Sequence, residues 1–453
     1  MTSPPLPWEN LRGRVVIVVF WSFGCEASLL RMRQMQDLEA GAGPGVVVLG
    51  VHTPRFPYEE NVEEVRAAMA QHRITTYCVH DPGYTTWNRY NPGGWPATVV
   101  IDGRGRVLGS LDGTDGLDTL MQSVGLGLQQ AQNMYEIGEE PPALPTISPF
   151  APPPFDLAFP EAVTVRAGGE LVVADSAHNR LLLFELDDAV RTATATAEID
   201  GFDHPSAVVA DDGEGIYVAE QRAGAISYLD LGARQRRLLA DDFVRPTGLT
   251  IDIDGSLVVA DGGRDKLYRV IKHNAETVTT GLIAGSGNSG SADGDAAVAD
   301  LAQPTGIART EAGLVFCDAA SSNLRLLTDR GRVATITGNG FFEWGLVDGP
   351  AHKAMLQRPS ALTVLDDGSI VIVDTGNSRL RRLANRRIRT LGLAGLNRPA
   401  GSCLLPSGHI LVADTGNHRI VVVEPDLHNA WTLELAGVLP PRTPEELAAA
   451  QGR

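Results

Sequence analysis

The chain has 453 residues, too many for one ordinary domain, and its 43% hydrophobic and 21% charged residues are the balance of a folded protein, not a disordered one. A formal charge of −17 argues against nucleic acid and anionic membranes as partners. No stretch approaches the ~20 apolar residues that span a bilayer, no basic-then-apolar leader opens the chain, and the four cysteines are scattered without metal-ligand spacing, so a cytoplasmic protein without metal or cofactor is expected.

Residues 1–138 alternate strand and helix signals. An apolar β-branched run, Val15 to Trp21, leads into Ser22-Phe-Gly-Cys25-Glu-Ala-Ser28. Leu29, Leu30, Met32, Met35 and Leu38 then predict a helix, followed by a strand at Gly45 to Val51 and a helix near Asn61 to His72. Further strands are expected at Thr76 to His80, at Ala97 to Asp102 behind Gly94-Trp95-Pro96, and at Val107 to Leu111. This order implies an α/β sandwich.

The Phe20-Trp21-x-x-x-Cys25-x-x-Ser28 run, the Gly50-Val-His52-Thr-Pro stretch and Trp95-Pro96 before Val-Val-Ile-Asp102 together resemble a thioredoxin-like fold, of the kind found in membrane-anchored bacterial thiol oxidoreductases. The resemblance implies a redox site of Cys25, Ser28, Trp95 and Pro96. Cys25 would sit at a helix N-terminus, where orphan N–H groups favour a thiolate. Ser28 would donate a hydrogen bond to it, and a cis Pro96 would expose the Trp95 backbone to a peptide. Ser28 stands where the family has its second cysteine, and Val19 where it has a buried acid. A mixed disulfide on Cys25 would therefore need an outside thiol such as glutathione, or Cys78, for its release. A peroxidase reading rests on Ser22-x-x-Cys25 alone. An inert, buried Cys25 in a degenerate docking domain is the alternative.

Residues 139–158 contain Glu-Glu-Pro-Pro-Ala-Leu-Pro and Ala-Pro-Pro-Pro and predict a stiff linker. Residues 159–440 repeat one unit six times, starting at Pro160, Pro205, Pro246, Pro304, Pro359 and Pro399. Each carries an apolar strand ending in Asp175, Glu220, Asp261, Asp318, Asp374 or Asp414, 14 or 15 residues on. Units of this length suit four short strands, hence the blades of a propeller. Glycine-rich inserts at Gly285 to Asp295 and Gly338 to Gly349 are expected on rim loops, and residues 441–453 as a tail.

The units resemble the NHL repeat, and the two halves together resemble NHL-repeat proteins with an N-terminal thioredoxin-like domain. The expected fold is thus an α/β thioredoxin-like domain followed by an all-β six-bladed NHL-type β-propeller. In that family the strand-ending acid pairs with an arginine five residues on, which implies Asp175–Arg180, Asp374–Arg379 and Asp414–Arg419, with Lys266 substituting in the third blade. Residues just before the prolines would lie near the channel mouth. Of these, His204, Arg245, Arg358 and Arg398 would form a basic ring for an anion or an acidic peptide. The family's zinc-dependent lyases need several channel histidines, and only His204 is so placed. Two functions follow: a single-thiol disulfide-exchange protein whose propeller recruits a protein or peptide, or a scaffold without catalysis.

Overall fold

The computed structural model describes residues 8–113, 116–133, 156–213, 215–233, 235–273, 277–338 and 343–439. Two units divide the chain, Met1–Ala151 and Pro152–Arg453. Residues 139–155 of the expected linker and the whole expected tail lie outside the described residues.

In the first unit, seven successive apolar residues form β1 (Val15–Trp21), every one of them buried, as a central strand covered on both faces requires. The elements that follow are α1 (Glu26–Ala42), β2 (Val46–His52), α2 (Val62–Gln71), β3 (Tyr77–His80), α3 (Thr85–Tyr90), β4 (Ala97–Ile101), β5 (Val107–Asp112) and α4 (Leu117–Asn133). The sheet order is β3-β2-β1-β4-β5. β1, β2 and β3 run parallel, while β4 is antiparallel to β1 and to β5. Alternation along β1 splits two cores. Val15, Ile17, Val19 and Trp21 pack with Leu29, Met32 and Met35 of α1 and with Leu120 and Val124 of α4. Val16, Val18 and Phe20 pack with Val47, Val51 and Val99 on the opposite face. The sequence pattern missed α3 and α4. Two glycines, Gly125 and Gly127, interrupt the apolar stripe of α4 and mask its period.

The second unit is a six-bladed β-propeller. Its six sheets each place the proline-initiated strand at one edge. These edge strands, Pro160–Val165, Pro205–Ala210, Pro246–Ile251, Pro304–Thr310, Pro359–Val364 and Gly401–Leu404, contact one another in sequence and close a ring. The third position of each unit is Ala or Gly because the ring is tight. A Cβ on Gly306 would come 2.4 Å from the Ala361 Cα of the next blade. Hydroxyls stitch neighbours together: Thr247 Oγ1 donates to the Pro304 carbonyl at 2.9 Å, and Thr415 Oγ1 to that of Pro160 at 2.6 Å. The ring closes where Glu434–Ala436 runs parallel to Thr192–Thr194 of the first blade, supported by Trp431 Nε1 donating to the Val190 carbonyl at 2.9 Å.

The strand-ending acids are fully or almost fully buried, and their partners correct two of the expected pairings. Asp175–Arg180 and Asp414–Arg419 form, both at 2.7 Å. Asp374 pairs instead with Arg381, at 2.7 Å, and Arg379 donates to the Ser378 carbonyl. Lys266 does not substitute in the third blade; Arg264 approaches Asp261 there, at 4.0 Å. The fourth blade repeats the fifth, with Asp318–Arg325 at 2.9 Å. The cause lies in the two inserts. Each adds a two-residue fifth strand at the rim, Gly294–Asp295 and Gly349–Pro350. Just before it, each supplies a second carboxylate: Asp293 meets Arg325 at 2.9 Å, and Asp348 meets Arg381 at 2.7 Å. The same carboxylates accept the backbone N–H and hydroxyl of Thr335 and of Thr390. An arginine seven residues after the acid lies on the same strand face as one five residues after it, and the insert decides which is used.

Candidate functional site

Cys25 closes the loop between β1 and α1. Its extended backbone (φ −120°, ψ 110°) makes it the N-cap of α1, with its carbonyl accepting the Leu29 N–H at 3.1 Å. The thiol is 2% exposed, and its Sγ donates to the Trp95 carbonyl at 3.7 Å. The Trp95–Pro96 bond is cis. Trp95 is half-buried, its ring stacked on Trp87 at 4.2 Å and its Nε1 donating to the Thr53 carbonyl at 3.0 Å. Cys25 and Trp95 therefore meet through one sulfur-to-carbonyl contact, and Pro96 follows Trp95 across the cis bond. Ser28 lies one turn along α1, fully buried, and its hydroxyl has no hydrogen-bond partner, so the expected bond from Ser28 to Cys25 is not made in this structure.

The sequence reading missed Glu59. Its side chain is fully buried, and its carboxylate gathers the loop ahead of Cys25. Ser22 Oγ donates to both carboxylate oxygens, at 2.8 and 2.9 Å, the Gly24 N–H donates at 2.5 Å and the Arg55 N–H at 2.6 Å. Position 24 must be glycine, because a Cβ there would lie 2.0 Å from Glu59 Oε1. In Phe56-Pro57-Tyr58-Glu59-Glu60-Asn61, Glu59 reads as an ordinary acid ahead of a helix. The only signal was Gly24 itself, a small residue directly before the thiol. Val19, where a thioredoxin-like domain has its buried acid, belongs to the apolar core.

Behind the loop lies a histidine pair, His52 buried and His80 half-buried. His52 stacks on Phe23, with ring centres 5.4 Å apart, and meets the edge of Trp21 at 4.8 Å. His52 Nδ1 lies 3.1 Å from His80 Nδ1, and His80 Nε2 lies 3.0 Å from the Glu60 carbonyl. With both rings neutral, His80 donates from Nε2 to that carbonyl and accepts at Nδ1 from His52, leaving a bare lone pair on His52 Nε2. No partner reaches that nitrogen. Burial, then the neighbouring His80, pulls the His52 pKa down to about 3. Cys78 is buried beneath the same cluster, and burial pushes its thiol far up. A thiol so firmly protonated is a poor nucleophile for resolving a mixed disulfide.

On the propeller, Phe159, His204, Gln303, Arg358 and Arg398 share a left-handed backbone, with φ between 43° and 58°, in the turn before their prolines. His204, Arg245 and Arg398 are buried and Arg358 half-buried, so these side chains do not stand as an exposed ring. His204 Nε2 lies 2.9 Å from Glu161 Oε1, and burial pulls the His204 pKa down. Arg245 donates to Gln221 Oε1 at 2.7 Å, and Arg358 to Gln303 Oε1 at 3.4 Å. Arg398 donates its backbone N–H to Ser378 Oγ at 3.1 Å. Cys317 and Cys403 sit in blade strands with their thiols pushed up by burial, that of Cys403 to about 12.

The NHL repeat profile matches residues 356–383 and 396–423, the fifth and sixth blades. The chain carries NHL repeats. NHL repeat-containing protein 2 of Bos taurus is 24% identical over 450 residues, covering 87% of this chain, which spans 62% of the length of that relative. Protein DipZ of Mycobacterium bovis is 32% identical over 106 residues, 23% of this chain and 15% of that protein. Among solved structures, virginiamycin B lyase from Staphylococcus aureus is 14% identical over 62% of this chain and 85% of its own, with a TM-score of 0.44. No helix among the described residues is long and apolar enough to cross a membrane.

Proposed function

We propose that the first unit is a thioredoxin-like domain with a single-cysteine exchange site, and that the NHL propeller recruits the protein or peptide on which it acts. The observation that carries this reading is the contact of Cys25 Sγ with the Trp95 carbonyl, 3.7 Å away, at the N-cap of a 17-residue helix. Cys25 stands at the N-cap of α1, and the Trp95 carbonyl is a backbone group that an incoming extended peptide can displace the thiol to reach. The Cys25 thiolate attacks a partner disulfide and forms a mixed disulfide, releasing the partner's other sulfur as a thiolate. Ser28 cannot resolve it and Cys78 is held protonated, so an external thiol such as glutathione completes the exchange. Four free cysteines suit a reducing, cytoplasmic setting.

A scaffold without catalysis is the second reading, favoured by the 2% exposure of Cys25. Alkylation of Cys25, with Cys25→Ser as control, separates the two. Under the exchange reading Cys25 is alkylated in the folded chain, and intact-mass analysis after exposure to oxidised glutathione finds one adduct that Cys25→Ser lacks. Labelling only on unfolding leaves the scaffold.

A further inference from the structure

We propose that the outer hairpin of the fifth blade, with the groove beside it, docks an acidic peptide segment of a partner protein. The inference rests on the reading that the propeller recruits partners, and it names the chemistry of what is recruited.

Residues 379–390, Arg-Leu-Arg-Arg-Leu-Ala-Asn-Arg-Arg-Ile-Arg-Thr, hold six arginines and no acid in a chain of net charge −17. Two are neutralised: Arg381 by Asp374 and Asp348, and Arg382 by Asp367, at 2.5 Å. Arg386, Arg387 and Arg389 are exposed and form no ion pair among the described residues. The corresponding strand of the fourth blade differs, since its exposed Arg332 is met by Asp295 at 3.1 Å. His352 and Lys353 are exposed next to the hairpin, where the Ala351 N–H donates to the Arg386 carbonyl at 2.8 Å. A groove of about 760 Å³ opens between the fourth and fifth blades, its walls including Leu326, Ile336, Leu383, His352 and Arg386. Its lining is mixed, apolar at Leu326, Ile336 and Leu383, cationic at Arg386, and with its carboxylate, Asp367, held by Arg382.

Strand addition is not the binding mode. Gly349–Pro350 already pairs with Arg387–Ile388, and the Thr390 N–H is taken by Asp348. Recognition falls to side chains, and guanidinium groups match carboxylates in two-point geometry. Among the described residues no Phe, Tyr or Trp lines the groove to stack a base, which favours a peptide over single-stranded nucleic acid.

The test measures anisotropy of a labelled poly-glutamate peptide and of a labelled poly-uridine strand with the full chain. The variants are the charge reversal R386E/R387E/R389E and, as control, R237E, a half-buried arginine on the second blade whose guanidinium donates to Gln235 Oε1. The three reversed positions are exposed and the control position is half-buried, and thermal unfolding checks that each variant is folded. Expected is peptide binding that weakens with salt, falls by about tenfold or more in the triple variant and is unchanged in R237E. Peptide binding that persists in the triple variant overturns this site and leaves recruitment elsewhere on the propeller standing. Absence of peptide binding, or tighter poly-uridine binding lost in the same variant, overturns the acidic-peptide assignment. None of these outcomes bears on Cys25 alkylation, which tests the exchange reading separately.

Discussion

Buried carboxylates do different work in the two units. In the fifth blade, Asp374 accepts the Gln357 N–H at 2.7 Å and the Arg381 guanidinium at 2.7 Å, an arrangement the fourth blade repeats with Ala302, Asp318 and Arg325. In the first unit, Glu59 collects two backbone N–H groups and a hydroxyl from the segments flanking it, and it is not part of a repeat. The blade acid secures a module that recurs, so its sequence signal recurs as well. Glu59 secures one loop, the one that presents Cys25. A buried charge that is repeated reports architecture, and one that stands outside any repeat marks the place where the chain holds something in position.

The sharpest way to break this comparison is to remove the guanidinium. Arg381→Ala leaves Asp374 buried and uncompensated and is expected to cost about 3–5 kcal/mol in denaturant unfolding of the propeller, whereas Arg379→Ala stays within about 0.5 kcal/mol. Equal losses would restore the five-residue pairing. The counterpart in the first unit is Gly24→Ala. The added methyl collides with Glu59, and a loss of about 1–3 kcal/mol is expected, localised by hydrogen exchange to residues 22–29 and 55–60. Exchange that spreads evenly over the sheet would mean that Glu59 supports the domain in general, not the thiol loop.

The smallest effect per step concerns His52. Its folded pKa, about 3, lies below the ~6.5 of an unfolded histidine, so the unfolded chain binds the extra proton between these values. Stability from the neutral ring is therefore fully present above pH ~6.5 and is lost as pH falls toward 3, at about 1.4 kcal/mol per pH unit until the unit unfolds. His52→Phe should flatten that slope for the first unit and leave the propeller's acid response as it was. An unchanged slope would assign the acid sensitivity to other groups.

How much of this was legible in the sequence depends on whether a feature is set by spacing or by contact. The proline-to-acid interval gave six blades, because each blade must return to the ring after the same length of strand. The β1 run and the α1 stripe were legible for the same reason. The choice between Arg379 and Arg381 was not, since both lie on one strand face and only Asp348, 33 residues before Arg381, distinguishes them. Glu59 was hidden because its partners, at positions 22, 24 and 55, are gathered by a fold and not by a period. The exposed arginines of the fifth blade were visible as letters, but their lack of ion pairs emerged only once Asp348 and Asp367 were seen to serve Arg381 and Arg382.

The way the ring is closed has a mechanical consequence. Five of the six joints between blades are crossed by continuous chain. At the sixth the chain runs from the last blade into Glu434–Ala436, and that three-residue parallel strand is held to the first blade by contacts alone, as a clasp. A ring with one sewn-on clasp has a preferred place to open. Tension drawn between residues 160 and 436 would be borne there first, and the other five joints would part only after that seam had given way.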